Sequence, residues 1–168
     1  MPLIREETAA DHAAIREVNR LAFGRDAEAA LVDRLRAEGW VCVSLVAEEA
    51  GAVTGHILFS RLPVETSRET LETVALAPVA VRPEAQRRGT GAALVRAGLE
   101  ACRRRGQTIA IVLGDPAYYG RFGFTAAAAR PLASPFAGEA FMALELVPGA
   151  LGGVQGTVRY PAAFADTV

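Results

Sequence analysis

The sequence contains no lysine; all 18 of its basic residues are arginine. That excludes a Schiff-base lysine and a Walker A loop, whose lysine must reach the β- and γ-phosphates. Nineteen acidic residues oppose the arginines, so no global field draws the chain to nucleic acid. Cysteine is scarce as well. Cys42 and Cys102 stand far apart, with no CxxC pattern and no histidine beside them. They read as reduced core thiols, and no metal is expected. Long hydrophobic runs are missing: the longest, Val74 to Val81, falls far short of the roughly 18–20 residues that span a membrane. The opening Met1-Pro2-Leu3-Ile4-Arg5-Glu6-Glu7 has no apolar signal region. The expectation is a cytoplasmic protein with no membrane and no nucleic-acid partner. There is no internal repeat and no Ser/Pro-rich linker, so the 168 residues read as one domain.

What is present is an ordinary globular composition, 51% apolar and 22% charged. A chain of this size buries roughly 70% of its extended surface and needs no metal or disulfide to hold its core. Leu3 to Glu6 predicts a short strand. Thr8 and Asp11 form an N-cap arrangement for a helix with Ile15, Val18 and Ala22 on one face. A second helix is predicted from Asp26, anchored by Leu31 and Leu35 and stopped at Gly39. Val41–Glu48 and Val53–Ser60 predict an antiparallel hairpin, and Thr73–Val81 a covered central strand. Pro78 interrupts that strand, so its ladder is expected to break there. Gly89–Arg105 is the strongest helix pattern, with Leu94, Gly98 and Cys102 in line, and Thr108–Leu113 follows as a strand. A short helix near Pro116–Arg121, a strand after Phe124 and another at Phe141–Leu146 come next. Gly149 to Gly156 reads as a loop. Strands with crossover helices on one sheet make the class α/β or α+β.

The sharpest feature is Gln86-Arg87-Arg88-Gly89-Thr90-Gly91, a turn that leads from the strand end Val79-Ala80-Val81 into the N-terminus of the Gly89–Arg105 helix. A helix N-terminus offers unpaired N–H donors and about half a positive charge. Glycines at 89 and 91 let a phosphate approach the backbone, and Arg87 and Arg88 add charge. The alternative is a plain helix start, with tight-packing glycines and a solvated arginine face.

These residues resemble the acyl-CoA signature Q/R-x-x-G-x-G/A of the GNAT N-acetyltransferase superfamily. Gly55-His56-Ile57-Leu58-Phe59-Ser60 and Leu113 to Phe124 are similar to a poorly characterised bacterial branch of predicted acetyltransferases. The resemblance covers about residues 3–146 and leaves 147–168 as a Gly-rich C-terminal extension. It implies a mixed, mostly antiparallel sheet flanked by helices, with a V-shaped splay between the two central strands. It further implies acetyl-CoA as cosubstrate, held by Val79, Ala80, Val81, Gln86, Arg87, Arg88, Gly89, Thr90, Gly91 and Ala92. Pro78 falls where the family places a strand bulge, which exposes an N–H to the thioester carbonyl.

Tyr118-Tyr119-Gly120-Arg121-Phe122-Gly123-Phe124 is similar to the family's segment around a tyrosine that protonates the leaving thiolate. Tyr119 takes that place as general acid, the alternative being a packing tyrosine, which is the reading for Tyr118. Asp115 before Pro116 reads as a helix cap rather than a CoA contact. The implied reaction is direct transfer of acetyl to an amine, on a small molecule or a protein. Two base candidates stand open: Glu72, and His56, whose ordinary pKa near 6.5 suits the task but which on an apolar strand also reads as a core histidine. The acceptor is expected beside Phe23-Gly24-Arg25-Asp26 and the segment Leu62–Leu71, where Glu65, Glu69 and Glu72 would attract a cation. Two rival readings remain. One is a domain that keeps acyl-CoA but has lost transfer, acting as a sensor or partner. The other, a nucleic-acid protein using Arg82, Arg87, Arg88 and Arg103-Arg104-Arg105, is disfavoured because no aromatics interleave those clusters. A homodimer is permitted but not required.

Overall fold

The computed structural model describes residues 2–166; Met1, Thr167 and Val168 lie outside the described residues. A short strand β1 (Leu3–Glu6) leads into helices α1 (His12–Phe23) and α2 (Ala27–Ala37). Strands β2 (Val41–Glu49), β3 (Ala52–Thr66) and β4 (Thr70–Val81) follow, then helix α3 (Thr90–Arg104) and strand β5 (Ile109–Leu113). The remainder comprises α4 (Pro116–Tyr119), α5 (Ala126–Ala129), β6 (Leu132–Ala133), β7 (Phe141–Glu145) and β8 (Gly156–Val158). Local grammar accounts for the helix ends. The Thr8 amide donates to Asp11 Oδ2 at 2.7 Å ahead of α1, and Gly24 and Gly39 take left-handed φ of 67° and 78° behind α1 and α2. Among the described residues no helix is long and apolar enough to cross a membrane.

The main path of the sheet runs β1-β2-β3-β4-β5-β7, antiparallel along this order except for the β4–β5 pair, and β8 joins it by pairing antiparallel with β3 and parallel with β6. Strand side chains alternate between two cores, as a two-residue period requires. Leu58, Leu62 and Val64 of β3 face α1, α2 and the C-terminal segment. Ile57 and Phe59 face α3. Gly98 permits the close seating of α3: a Cβ there would fall 3.0 Å from Phe59 Cζ and closer still to Cε2.

In β4 the alternation changes phase. Val74 and Leu76 face α3 while Leu71, Ala75 and Ala77 face the other core, yet beyond Pro78 it is Val79 and Val81 that turn toward α3. The register explains this. Ile57 pairs with Val79 and Phe59 with Leu76, so β4 carries one residue more than β3 across this stretch. That is a β-bulge, and it falls at the proline, which has no N–H to give to the ladder. β4 and β5 pair only at Val74–Ala110 and Ala75–Ile111, so the two central strands part beyond Ala75. The expected splay is present.

Some boundaries differ from expectation. β3 and β4 extend well past the predicted 53–60 and 73–81 and meet in a turn near Ser67–Glu69, where Thr66 N donates to Glu69 O at 2.9 Å. Pro63 does not end β3, because the strand there is bordered by the C-terminal segment: Arg159 N donates to Pro63 O at 2.9 Å. Only a bridge, Thr125–Ala143, forms after Phe124 where a strand was predicted. Thr125 Oγ1 accepts from Ala128 N at 3.1 Å and starts α5 instead. Within residues 147–166, Gly149 to Gly153 lies in turns, part of the Gly149–Gly156 stretch that reads as a loop; Gly156 itself opens β8, which pairs with β3, and Leu151, Val158, Ala163 and Phe164 are buried with α1 and α2.

Candidate active site

The bulge and the splay open a cleft with two lobes. One is a groove of about 600 Å³ between β4 and the start of α3. It is lined by Val79, Ala80, Val81, Gln86, Arg87, Gly89, Thr90, Gly91 and Ala92, with Ala22, Phe23 and Ala85 at its sides and Tyr118 and Arg121 across from it. The other is a pocket of about 270 Å³ between the parting strands, which includes Ala75 to Val79, Ile111 to Leu113 and Tyr119. Phe23 and Val79 border both lobes, so the two meet there.

The groove is a backbone cradle. Gly89 caps α3 with φ 82°, and Arg87 before it also takes a left-handed φ of 65°. The first α3 amide with a backbone acceptor beyond the helix start is that of Ala93, on Gly89 O at 3.0 Å. The N–H groups ahead of it are unpaired donors, with the helix dipole behind them. Nothing lies within 4 Å of a Cβ built on Gly89, so the space above it is open; at Gly91 a Cβ would fall 3.1 Å from the Tyr118 hydroxyl. Gln86 Nε2 donates to Val81 O at 2.9 Å and ties the turn to the strand end. The arginines divide. Arg88 donates to Glu84 O at 3.0 Å and lies 3.8 Å from Glu49, so it braces the turn and is not among the groove-lining residues. Arg87 borders the groove, and so does Arg121, which lies over the Tyr118 ring at 5.2 Å. Arg121 sits inside the tyrosine motif, whose pattern by itself gives this arginine no role.

Tyr119 lies in the pocket at the splay, its ring set edge-on to Tyr118 at 5.0 Å and to Phe124 at 6.0 Å. Asp115 caps its helix, accepting from Ala117 N at 3.0 Å. Gly114 leaves room for the ring: a Cβ there would fall 2.9 Å from Tyr119 Cδ2 and closer to Cε2. Burial pushes the Tyr119 phenol up to about 12, with Tyr118 adding to the shift. It therefore stays protonated at neutral pH, the form that can donate to a developing anion.

Neither proposed base reaches this cleft. His56 stands opposite Ala80 in the ladder but points to the other core, fully buried. Asn19 Nδ2 donates to its Nδ1 at 3.2 Å, and its Nε2 lies 3.0 Å from Ser44 Oγ, which in turn donates to Glu7. Burial pushes its pKa down to about 4, Arg36 adding to the shift and Glu7 opposing it. It is a neutral core histidine. Glu72 is exposed, pairs across from Pro63 and accepts from Gln107 Nε2 at 2.8 Å. It lies six residues before Pro78, roughly 20 Å along the strand. The segment Leu62–Leu71, expected beside the acceptor, is the same distant hairpin arm, with Glu65 paired to Arg159 at 3.0 Å. The α1–α2 turn does reach the cleft, through Phe23. Unforeseen in the sequence, the pocket is also lined by Glu28 and Leu31 of α2 and by Phe136, Tyr160 and Phe164.

Residues 3–127 match the family described as the acetyltransferase (GNAT) domain. The chain is 40% identical over 161 residues to the uncharacterized N-acetyltransferase YhbS of Escherichia coli (strain K12), covering 94% of this chain and 95% of that protein. A crystal structure of the Escherichia coli YhbS in complex with CoA shares 39% identity at a TM-score of 0.88, over 97% of this chain and 91% of that one. A GNAT family acetyltransferase from Brucella melitensis in complex with acetyl-CoA shares 37% identity at a TM-score of 0.81, over 98% of each chain. On the splayed sheet, the glycine turn that opens α3 and the length of these matches, the chain belongs to the GNAT acetyltransferase family.

Proposed function

We propose that the protein moves an acetyl group from acetyl-CoA to an amine by direct attack, with both substrates bound at once. The observation that carries this reading is the two-lobed cleft: a cradle of unpaired amides on one side of Val79, a pocket on the other, and a protonated tyrosine beside the junction. Two similar proteins bind CoA or acetyl-CoA, and the groove here suits the same ligand. The amides from Arg87 to Ala92 hold the pyrophosphate, Arg87 and Arg121 add charge, and Val79 to Val81 lie along the pantetheine arm. The thioester is then carried to the splay.

There the amine nitrogen attacks the thioester carbon and a C–N bond forms. Pro78 has no N–H, so a neighbouring amide of the bulge stabilises the oxyanion. Collapse breaks the C–S bond, and the Tyr119 hydroxyl donates to the departing sulfur. With His56 and Glu72 remote, the amine's proton leaves through water in the open cleft and restores the phenol. Holding the reactants together supplies much of the rate. A catalytically silent acyl-CoA-binding domain is the second reading, favoured by the distance of both base candidates.

Calorimetric titration with acetyl-CoA tests the donor site, and thiol release with a panel of amines tests transfer. One-to-one binding with turnover supports the enzyme, and binding without turnover the silent domain. No binding by the folded protein reduces the Gln86–Gly91 turn to a helix start.

A further inference from the structure

The pocket beyond the splay has a distinct chemistry. Its lining includes the rings of Phe23, Phe136, Tyr160, Phe164 and Tyr119, and among the described residues its one charged side chain is that of Glu28. Glu28 is 8% exposed. A carboxylate buried in an apolar wall is costly unless it is paired. Arg25 supplies the pair, its Nε and Nη2 donating to the two carboxylate oxygens at 2.9 and 2.5 Å. Arg25 is largely exposed and does not line the pocket, so the carboxylate stands between the guanidinium and the cavity. Oε2 also accepts from Arg25 Nε at 3.2 Å, and the second lone pair of Oε1 leaves Glu28 able to accept an N–H donor inside the pocket.

Another part of the lining is an aromatic ladder formed by Phe136 with Tyr160 and Phe164 of the C-terminal segment. Phe136 and Tyr160 meet edge-on at 5.1 Å, and Tyr160 and Phe164 at 5.3 Å. The pocket is small, at about 270 Å³. Resting on the acetyltransferase reading above, we infer that the acceptor is a small monoamine with an apolar body, its nitrogen held by Glu28 and its body against the Phe136–Tyr160–Phe164 wall. One carboxylate matches one ammonium, which gives up a proton to water in the cleft before the free amine attacks. The second cation of a polyamine would be left in apolar surroundings, and a folded protein could bring only a single side chain past the aromatic wall. The plainer account of Glu28 is an acidic residue in the first turn of α2, favourable to the helix dipole and stapled to Arg25. That account predicts lost stability with no effect on the amine.

The test measures initial rates of CoA thiol release with 2-phenylethylamine, n-hexylamine, spermidine and a lysine-containing peptide, for wild type, Glu28→Gln and Phe136→Ala. Calorimetry with acetyl-CoA accompanies each protein. The expected result is at least a tenfold higher kcat/KM for the two apolar monoamines than for spermidine or the peptide. Glu28→Gln should raise the amine KM about 10- to 100-fold, the scale of one hydrogen bond to a charged group. Phe136→Ala, at a half-buried position, should raise it as well, with circular dichroism used to check that the variant is folded. Acetyl-CoA affinity should be unchanged in both. Preference for spermidine or the peptide overturns the inference, as does an amine KM indifferent to Glu28→Gln. Acetyl-CoA binding without turnover of any amine overturns it while leaving the donor site intact. Failure of wild type to bind acetyl-CoA removes the acetyltransferase reading itself, and this inference with it.

Discussion

Gly114→Ala is the most direct probe of whether the Tyr119 ring must sit where it does. The added methyl would lie 2.9 Å from Cδ2 and closer to Cε2, against 3.4 Å or more for an ordinary contact. The ring must therefore back away by at least 0.5 Å, and by on the order of 1 Å at its Cε2 edge. Gly114 does not have a left-handed φ, so alanine is accepted by the backbone there. The strain falls on the side chain, where overpacking costs about 1–3 kcal/mol unless the ring moves. A displacement of about 1 Å at a reacting group can cost roughly 100-fold in rate, so kcat is expected to fall about 10- to 100-fold, with acetyl-CoA affinity retained. Stopped thiol-release assays and calorimetry on the same protein read the two quantities. Tyr119→Phe, which removes the hydroxyl and keeps the ring, should lower kcat by a similar order. In the double variant the losses should not add, because both act through one hydroxyl. A Gly114→Ala protein that is folded, binds acetyl-CoA and turns over at the wild-type rate would refute the placement of Tyr119 as the acid.

Other consequences are open to measurement. Gly89→Glu sets a carboxylate over the unpaired amides of α3 and should abolish acetyl-CoA binding by calorimetry; its left-handed φ adds about 1–2 kcal/mol of strain, so the fold should survive, as circular dichroism can check. Gly98→Ala should destabilise by about 1–2 kcal/mol in denaturant titration, the overpacking against Phe59 exceeding the helix-propensity gain of about 1 kcal/mol; a stabilised variant would mean that the sheet yields there. His56 has a folded pKa of about 4, below its ordinary 6.5. The unfolded chain thus binds more protons between these values, and stability is full above pH 6.5 and lost as pH falls toward 4. The loss is about 3 kcal/mol from this group, and a denaturation free energy flat from pH 6.5 to 4.5 would contradict it. Arg5 holds Asp11 well below the usual carboxylate range, so its own loss comes only at still lower pH.

The helices with strong periodicity, the glycine turn and the proline bulge were all legible because each is written locally. Asp11, Gly39, Pro78 and Gly89 act within a few residues of where they stand. What was not legible depends on partners distant in sequence. The continuation of β3 beyond Ser60 depends on the C-terminal segment, whose Arg159 borders it at Pro63. The three-residue β8 has no period to detect, and its neighbours Tyr160 and Phe164 give no sign that they wall a pocket shared with α2. Residue type alone points to His56 and Glu72 as bases. Burial decided the first and position along β4 the second, and neither property is local. Glu28 looked like any acidic residue at the start of a helix.

The bulge in β4 has a consequence of another kind. A strand is read two residues at a time, and one inserted residue changes the reading frame for everything downstream. Ahead of Pro78 the even-numbered side chains address α3; after it, the odd-numbered ones do. The side of the sheet that receives Val79 and Val81 is thus set by the parity of the count along β4 and not by those residues themselves. Removal of a single residue at 77–78 would give β4 the same count as β3 between Leu76 and Val79, so the ladder would run without its bulge and Val79 and Val81 would still face α3, whereas removal of two would leave β4 one residue short and turn them to the other side.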